Sequence, residues 1–181
     1  MSIDPGLSNL GWSIIDYDRS TNIKTVERYG VITGKSLLKS RKDMQDHFEK
    51  RHIIVWELEP LIMEMVKDYG PEYVVVEEPF SHIHIQAYSA LVIVVMAVRT
   101  AVRKTLGRDI YRIAPKEGKK AISNDGTATK EAVMDAIAAN QYIIIKQHKH
   151  NDDMTEHAAD SIAVGVAFIQ NLLPSILASQ V

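Results

Sequence analysis

The stretch MSIDPGLSNLGWSIIDY, residues 1–17, contains two apolar runs joined by a turn that is rich in Pro, Gly, Ser and Asn. We interpret the runs at 1–4 and 11–17 as the first two strands of a sheet, because turn-forming residues separate them. The alternating pattern at 23–33 predicts a third strand. The chain therefore opens with three strands in succession, and Asp4 stands at the end of the first.

The rest of the chain alternates between helices and strands. The β-branched run YVVVE at 73–77 is typical of a buried central strand, and 109–113 is predicted to be a fifth strand. Residues 34–42 are interpreted as a basic loop. Helices are predicted at 43–68 and 87–106, on both sides of the turn at 124–126, and at 155–172. This order predicts an α/β protein, a single domain over residues 1–181 with a mixed five-stranded sheet and helices on both faces.

Composition excludes several classes of protein. The 181 residues are 46% hydrophobic and 24% charged, which is ordinary for a globular domain and argues against global disorder. The absence of cysteine excludes disulfide scaffolds, thiolate zinc sites and cysteine nucleophiles. The longest unbroken apolar run, 90–98, is shorter than the roughly 20 residues that span a bilayer, and no signal peptide precedes the turn at Asp4. We therefore expect a soluble, cytoplasmic protein with no membrane association.

Charge is unevenly distributed, although the net charge is only −2. Residues 99–130 contain nine Lys or Arg and three acids, whereas 53–80 contain seven acids and a single lysine. Such segregation suits a polyanion held beside bound cations. Solvated helix faces would give the same pattern, so charge alone leaves both interpretations open.

Three carboxylates occupy apolar surroundings in the predicted fold. Asp4 and Glu77 each end a strand, and Asp160 lies in the first turns of the last helix, with His157 one turn before it on the same face. Carboxylates in such surroundings are expensive to bury unless they are paired or bind a metal. Oxygen ligands without cysteine suit Mg²⁺ or Mn²⁺, and a carboxylate cluster can gather two cations about 4 Å apart for displacement at phosphorus.

Each of these residues also has a purely structural interpretation. Asp4 could be a turn former, Asp160 could serve the helix dipole, and His157 could be a partly buried structural histidine. Glu77 and Glu78 point to opposite faces of a strand, so at most one of them can meet Asp4. The acids at 152, 153 and 156 stay unassigned, and either Asp153 or Glu156 could join a metal site.

Four blocks of sequence, taken together, resemble the RuvC-type Holliday junction resolvases, in the phage-like branch of the ribonuclease H-like superfamily. SIDPGLSNLGWSIID looks like the first-strand signature, and YVVVEEPF looks like the central strand whose glutamate follows an apolar run. KKAISNDGTATKEAV resembles the basic segment, and EHAADSIAVG resembles the closing helix. The blocks come in the family's order and span nearly the whole chain, so the resemblance implies a ribonuclease H-like fold.

The resemblance implies that Asp4, Glu77, His157 and Asp160 form a site for two Mg²⁺ ions, with Mn²⁺ as an alternative. His157 replaces an Asp that many relatives carry, and it could bind a cation or position water. Lys119 and Lys130 match the two basic active-site positions, although Lys119 and Lys120 could exchange roles. Lys130 also stands in the first turn of a predicted helix, where a cation needs a compensating anion, either a phosphate or a carboxylate.

The resemblance also implies contacts with DNA. Phe80 lies where relatives carry an aromatic wedge that enters the opened junction, although the SHIHIQAY segment after it could simply pack before the apolar helix. His82 and His84 follow it near the same mouth. The basic segment supplies three further candidate DNA-binding residues: Arg112, Lys116 and Lys120.

The resemblance implies a metal-dependent endonuclease that resolves four-way DNA junctions by paired nicks, in which water attacks a phosphodiester and leaves 5′-phosphate and 3′-hydroxyl ends. Relatives act as homodimers, and the apolar helix at 87–98 is either the dimer surface or a deeply buried core helix. The cell would be bacterial, either uninfected or phage-infected. Alternatives are a nuclease for flaps or other branched nucleic acids, and a non-catalytic junction-binding module. An actin-like phosphotransferase would need two such domains, which 181 residues cannot supply.

Overall fold

A computed structural model describes residues 1–80, 85–146 and 154–179. The strands are β1 Ser2–Asp4, β2 Asn9–Asp18, β3 Ile23–Thr33, β4 Val75–Glu77, β5 Tyr111–Ile113 and β6 Ile143–Ile145. The helices are α1 Gly34–Ser40, α2 Lys50–Tyr69, α3 Ile85–Leu106, α4 Pro115–Ser123, α5 Lys130–Ala139, α6 Glu156–Asn171 and α7 Leu173–Ala178, with a short 3₁₀ helix at Lys42–Met44.

The strands form one mixed sheet in the order β5-β4-β1-β2-β3-β6. The three predicted leading strands pair antiparallel, whereas β4 and β5 add to β1 in parallel on one side. The predicted sheet had five strands, and the described structure has six. The additional strand β6 pairs in parallel with Lys24–Val26 of β3. Three isoleucines between polar residues carry no periodicity, so only this long-range pairing makes the segment a strand.

The core lies on both faces of the sheet, as predicted. On one face, Ile3 and Val76 pack against apolar residues of α2 and α3. On the other face, Val26 and Val75 pack against residues of α4 to α7, with α6 crossing the centre. This two-sided α/β arrangement confirms the predicted fold class. It also places the N-terminal end of α6 at the edge of the sheet where β1 ends.

The segment predicted as a basic loop is instead the helix α1. Thr33 caps it, since its hydroxyl oxygen accepts a hydrogen bond from the Ser36 amide at 3.2 Å. Leu37 then packs against the α2–α3 side of the core. The helix predicted at 43–68 begins later, at Lys50, because the 3₁₀ turn and an irregular stretch precede it. A cap and one apolar contact therefore outweigh the polar composition of the segment.

Two segments are long and apolar enough, by length and composition, to cross a membrane: Ile85–Leu106 and Glu156–Ala178. Neither contains an unbroken apolar run of that length, which is why the sequence predicted no span. In the second segment 56% of the most apolar window is buried inside the protein, and in the first segment 33% is buried. Core helices pass the same test, and α6 is such a helix.

Candidate active site

Strands β1 and β4 bring Asp4 and Glu77 to the same end of the sheet, where both strands finish. The two strands are parallel, and Ile3 lies opposite Val76 in their register. Both of these residues point into the α2–α3 core. Because side chains alternate along a strand, the next residues, Asp4 and Glu77, point to the opposite face, towards α6. Two carboxylates that are 73 positions apart in sequence thus become neighbours.

Glu78 points away from this pair. It is exposed, and its carboxylate lies 3.8 Å from the guanidinium of Arg112. The expectation that only one of the two adjacent glutamates can meet Asp4 is confirmed, and Glu77 is that residue.

The first turns of α6 bring His157 and Asp160 to Asp4. One ligand atom from each of the three residues can be chosen such that all lie within 4.8 Å of one another. Gly11 on β2 makes this approach possible, because a Cβ atom there would lie only 1.9 Å from the carbonyl oxygen of His157. Thr155 caps the helix through a hydrogen bond from the Ala158 amide.

The carboxylates lack enough positive charge to balance them. Burial, reinforced by the charge of Asp160, raises the pKa of Asp4 to about 7, although Lys130 opposes the shift. Burial and the charges of Asp4 and Asp160 raise the pKa of Glu77 to about 8. The pKa of Asp160 is also raised, chiefly by burial. Such crowding of carboxylates at the end of a sheet is electrostatically unfavourable unless a cation lies among them.

The donor set therefore fits a divalent cation. Three carboxylates and one imidazole supply hard oxygen ligands and a single nitrogen, which suits Mg²⁺ or Mn²⁺ better than a metal that prefers sulfur. Glu77 lies outside the compact triad of ligand atoms, but its charge acts on the same site.

His157 is held from both sides of its ring. Its Nδ1 lies 3.1 Å from a carboxylate oxygen of Asp4, and its Nε2 lies 3.3 Å from the amide nitrogen of Asn9. Because an amide nitrogen can only donate, Nε2 accepts and Nδ1 donates to Asp4. Sequence reasoning missed Asn9. The available signal was a polar amide placed at the start of β2, within the turn that also carries Asp4.

Lys130 finds the anion that its position at the start of α5 requires. Its ammonium lies 2.9 Å from the carboxylate of Glu156, and this contact is the main cause of the raised pKa of Lys130. The charges of Asp160 and Asp4 contribute further to the raised pKa of Lys130. The compensating group in the protein alone is thus a carboxylate. Glu156 pairs with the lysine and also lies 3.6 Å from Nε2 of His157.

Lys119 is the member of the Lys119–Lys120 pair that faces the carboxylates. Its ammonium donates to the carbonyl oxygen of Ala128 at 2.8 Å, and its charge lowers the pKa of both Glu77 and Asp160. Lys120 is exposed and exerts no such effect on either acid. These observations favour Lys119 over Lys120 for the basic position beside the carboxylates, which stays a prediction.

The remaining predicted DNA-binding residues that the structure describes are exposed. Phe80 is 54% exposed and stands three residues beyond Glu77. Lys116 and Arg112 are exposed, and Arg112 has Glu78 as its partner. His82, His84 and Asp153 lie outside the described residues.

A cleft of about 520 Å³ opens in front of the triad. The turn between β1 and β2 forms one wall, and the start of α3 forms another through Ala87, Ala90 and Leu91. Lys130, His157 and Asp160 complete the lining. The cleft thus has acidic ligands at its base and a cation at its rim, which suits a phosphodiester.

Comparisons with known proteins agree with this arrangement. The family model described as crossover junction endodeoxyribonuclease RuvC matches residues 1–168. The crossover junction endodeoxyribonuclease RuvC of Wolbachia sp. subsp. Brugia malayi (strain TRS) is 23% identical over 175 residues, which are 93% of this chain and 92% of that protein. The protein of the same name from Alkaliphilus metalliredigens (strain QYMF) is 25% identical over 170 residues, covering 92% of this chain and 89% of that protein.

A solved structure of RuvC from Thermus thermophilus matches with a TM-score of 0.68 at 21% identity, covering 93% of this chain and 91% of that one. The T. thermophilus RuvC in complex with a Holliday junction substrate matches with a TM-score of 0.69 at 20% identity, covering 93% of this chain and 90% of that one. These matches confirm the ribonuclease H-like fold. The family model, together with the fold, shows that the chain belongs to the RuvC family of crossover junction endodeoxyribonucleases.

Proposed function

We propose that this chain is a metal-dependent, structure-selective endonuclease that resolves four-way DNA junctions by paired nicks. The observation that carries the proposal is the convergence of Asp4, His157 and Asp160, whose ligand atoms lie within 4.8 Å of one another at the base of a cleft. Lys130 lines the same cleft. The solved RuvC complex with a Holliday junction supports branched DNA as the ligand.

Asp4, Glu77, His157 and Asp160 would hold the metal, which we propose to be two Mg²⁺ ions, with Mn²⁺ as a substitute. When bound, such ions lower the pKa of an attacking water and stabilise the leaving oxygen of the phosphodiester. The pKa values of Asp4 and Glu77 are raised because burial and neighbouring acids destabilise their anionic forms. A cation bound beside them would stabilise these anions, which supports the metal-binding role.

The basic residues hold the scissile phosphate in this scheme. Lys130 releases Glu156 and turns its ammonium to a phosphate oxygen, while Lys119 approaches from the side of Glu77. In the protein alone, hydrogen bonds to Asp4 and Asn9 occupy both ring nitrogens of His157. Binding of a metal ion by His157 would therefore replace one of these contacts, with loss of the Nδ1 proton or release of Nε2 from Asn9. Attack of water would then leave 5′-phosphate and 3′-hydroxyl ends.

Phe80 would enter the opened junction and stack on an unpaired base, together with contacts from His82 and His84. Its exposed ring and its place three residues after Glu77 support this role. Base stacking on an aromatic ring is worth about 1–3 kcal/mol and tolerates any sequence. The exposed cations Arg112, Lys116 and Lys120 would contact the phosphate backbone nearby.

We propose that the enzyme acts as a homodimer, because paired nicks require two sites. The helix α3 supports this arrangement by exposing apolar side chains between Ile85 and Met96. Ile85 is 83% exposed, and Tyr88 and Met96 are 38% and 48% exposed. Four residues near the middle of the helix are buried: Val94, Val95, Ala97 and Val98. The surface offered to a second copy is therefore the exposed face of α3 from Ile85 to Met96, and its opposite face belongs to the core.

DNA processing of this kind places the protein in the cytoplasm of a bacterial cell, with or without an infecting phage. The bacterial origin of the curated relatives supports a bacterial setting.

One assay tests the function directly. The purified protein is incubated with Mg²⁺ and a four-way junction, a flap, a linear duplex or an RNA hairpin, with Asp4→Asn as the inactive control. We expect symmetric nicks in the junction by the wild type and none by Asp4→Asn. Cleavage of flaps or RNA in preference to junctions would contradict the proposed substrate. Junction binding without cleavage under Mg²⁺ and Mn²⁺ would contradict the proposed chemistry.

A further inference from the structure

The helix α1 begins directly against the turn that lines the cleft. β3 ends at Thr33, which lies opposite Asn9 at the start of β2. The amide of Gly34 then donates to the carbonyl oxygen of Ser8 at 2.8 Å. Ser8 and Asn9 both line the cleft in front of the carboxylates. The first residue of α1 is therefore hydrogen-bonded to a residue of the cleft wall.

The packing of α1 fixes which of its residues face solvent. A Cβ atom at Gly34 would lie 2.4 Å from the carbonyl oxygen of Leu7, so the backbone of α1 lies tight against the turn. Leu37 packs towards the α2–α3 core. Lys35 and Lys39 are four positions apart and thus share a face, and both are exposed.

The segment 34–42, which contains α1, carries positive charge that acidic side chains of the described residues balance only at Arg41. Residues 34–42 include four cations and no acid. Arg41 has acidic partners, with Glu57 at 3.5 Å and Asp43 at 4.0 Å. We call the three exposed lysines of this segment, Lys35, Lys39 and Lys42, the α1 basic surface. Within residues 1–80, 85–146 and 154–179, their ammonium groups form no ion pair and no side-chain hydrogen bond.

The α1 basic surface and the lysines of the basic segment belong to different layers of the protein. Leu37 of α1 packs on the α2–α3 face of the sheet. Ile122 of α4 and Val133 of α5 pack on the opposite face. Both layers reach the cleft, because Ser8, which accepts the Gly34 amide, and Lys130, at the start of α5, line it.

We propose that Lys35, Lys39 and Lys42 bind the phosphate backbone of the DNA arm that leaves the active site on the β3 side. The contact is independent of sequence, because exposed lysines offer point charges without a fixed geometry. The DNA then contacts Lys130 in the cleft and the α1 basic surface beside it. This inference rests on the proposed function for the identity of the DNA.

Salt dependence of binding tests the contact. Lys35→Ala and Lys39→Ala are compared with Lys67→Ala as the control. Lys67 is exposed and lies in the last turn of α2. The neighbouring residues Tyr69 and Gly70 line a different cavity, away from the active-site cleft. We expect each α1 variant to weaken junction binding several-fold and to reduce the slope of log K against log salt by about 1. Lys67→Ala should leave both quantities unchanged.

Crosslinking locates the contact on the DNA. The chain has no cysteine, so Lys39→Cys and Lys67→Cys each carry a thiol-attached photocrosslinker at one defined position. We expect Lys39→Cys to crosslink to one junction arm within a few nucleotides of the branch point and Lys67→Cys to give background only. Crosslinking of Lys39→Cys at background level, or an unchanged salt slope in both α1 alanine variants, would overturn the proposal.

Neither readout requires DNA cleavage. If the wild type binds and crosslinks through α1 but does not nick junctions, the proposed activity fails and the α1 contact stands. If the wild type nicks junctions and both α1 readouts are negative, the α1 contact alone fails.

Discussion

The imidazole of His157 is held between Asp4 and Asn9, with Nδ1 3.1 Å from the Asp4 carboxylate and Nε2 3.3 Å from the Asn9 amide nitrogen. Among the described residues, the side chain of Asn9 forms a hydrogen bond with His157 and with no other proposed ligand. It is therefore a positioning residue, whose effect on cleavage passes through His157.

We expect Asn9→Ala to slow single-turnover cleavage roughly tenfold, which corresponds to the loss of one hydrogen bond of about 1–1.5 kcal/mol. Junction affinity should stay unchanged, because neither Asn9 nor the imidazole of His157 is proposed to bind a DNA phosphate. Adding Asn9→Ala to His157→Ala should cause no further loss, since both changes remove the same interaction. Additive losses in the double variant would contradict the positioning role. Asn171→Ala, at the exposed end of α6, is the matched control.

Gly11 determines how closely α6 approaches β2. We expect Gly11→Ala to lower the free energy of unfolding by at least about 2 kcal/mol and to impair metal-dependent cleavage, because the added Cβ would meet the His157 carbonyl at 1.9 Å. Gly118→Ala is the matched control. Its Cβ would lie 3.6 Å from the backbone nitrogen of Val164 in α6, which is an ordinary van der Waals contact. Because Ala is a better helix former than Gly inside α4, this substitution should stabilise the protein by up to about 1 kcal/mol. Denaturant unfolding measures both effects, and equal stabilities of the two variants would contradict this account of Gly11.

The buried carboxylates make stability depend on pH when metal is removed. Asp4 and Glu77 have pKa values of about 7 and about 8 in the folded protein, above their ordinary values near 4. These two groups therefore bind more protons in the folded state than in the unfolded state between about pH 4 and pH 8, and their contribution to the free energy of unfolding falls as pH rises through that window. Burial lowers the pKa of the Met1 amino group to about 5, which acts in the opposite direction above that pH, so the net fall is smaller above about pH 5. Thermal unfolding in EDTA should record this fall, and Mg²⁺ should reverse it at pH 8.

Glu77→Gln removes one of these charges. In EDTA at pH 8 we expect it to raise the free energy of unfolding by about 2 kcal/mol, while the stabilisation by Mg²⁺ becomes smaller. Glu78→Gln, on the exposed opposite face, should change neither quantity. A pH-independent stability of the wild type in EDTA would contradict the crowding of the carboxylates.

Lys130 and Glu156 form an exposed ion pair that DNA must displace. Because such pairs contribute only about 0.2–1 kcal/mol, Glu156→Gln should free Lys130 and tighten junction binding by about two- to fivefold at low salt. Glu131→Gln, an exposed acid next to Lys130 in α5, controls for the general loss of negative charge. Weaker binding by Glu156→Gln than by the wild type would show that Glu156 itself contributes to the DNA site.

The sequence predicts most of the site because its residues stand at the ends of regular elements. Asp4 and Glu77 end strands whose apolar runs are evident, and the spacing of His157 and Asp160 follows the helical repeat. The choice of Glu77 over Glu78 follows from alternation as soon as β1 and β4 are known to be neighbours.

Other features depend on contacts between distant segments and escape prediction. Asn9 acquires its role only because α6 places His157 beside it, 148 positions later in the chain. β6 is a strand only through its pairing with β3, and α1 is a helix because Thr33 caps it and Leu37 finds the core. Local composition favoured a turn at Asn9 and a loop at 34–42, and contacts with distant segments gave both their observed roles.

The most direct test of the central claim is single-turnover cleavage of a four-way junction by the wild type and by Asp160→Asn in Mg²⁺, with junction affinity measured on the same preparations. We expect no detectable cleavage by Asp160→Asn and an affinity within about threefold of the wild type, because phosphate contacts rather than the metal ligands supply most of the binding. Cleavage at the wild-type rate by Asp160→Asn, or a loss of binding as large as the loss of cleavage, would contradict the claim that these acids form the metal-binding centre.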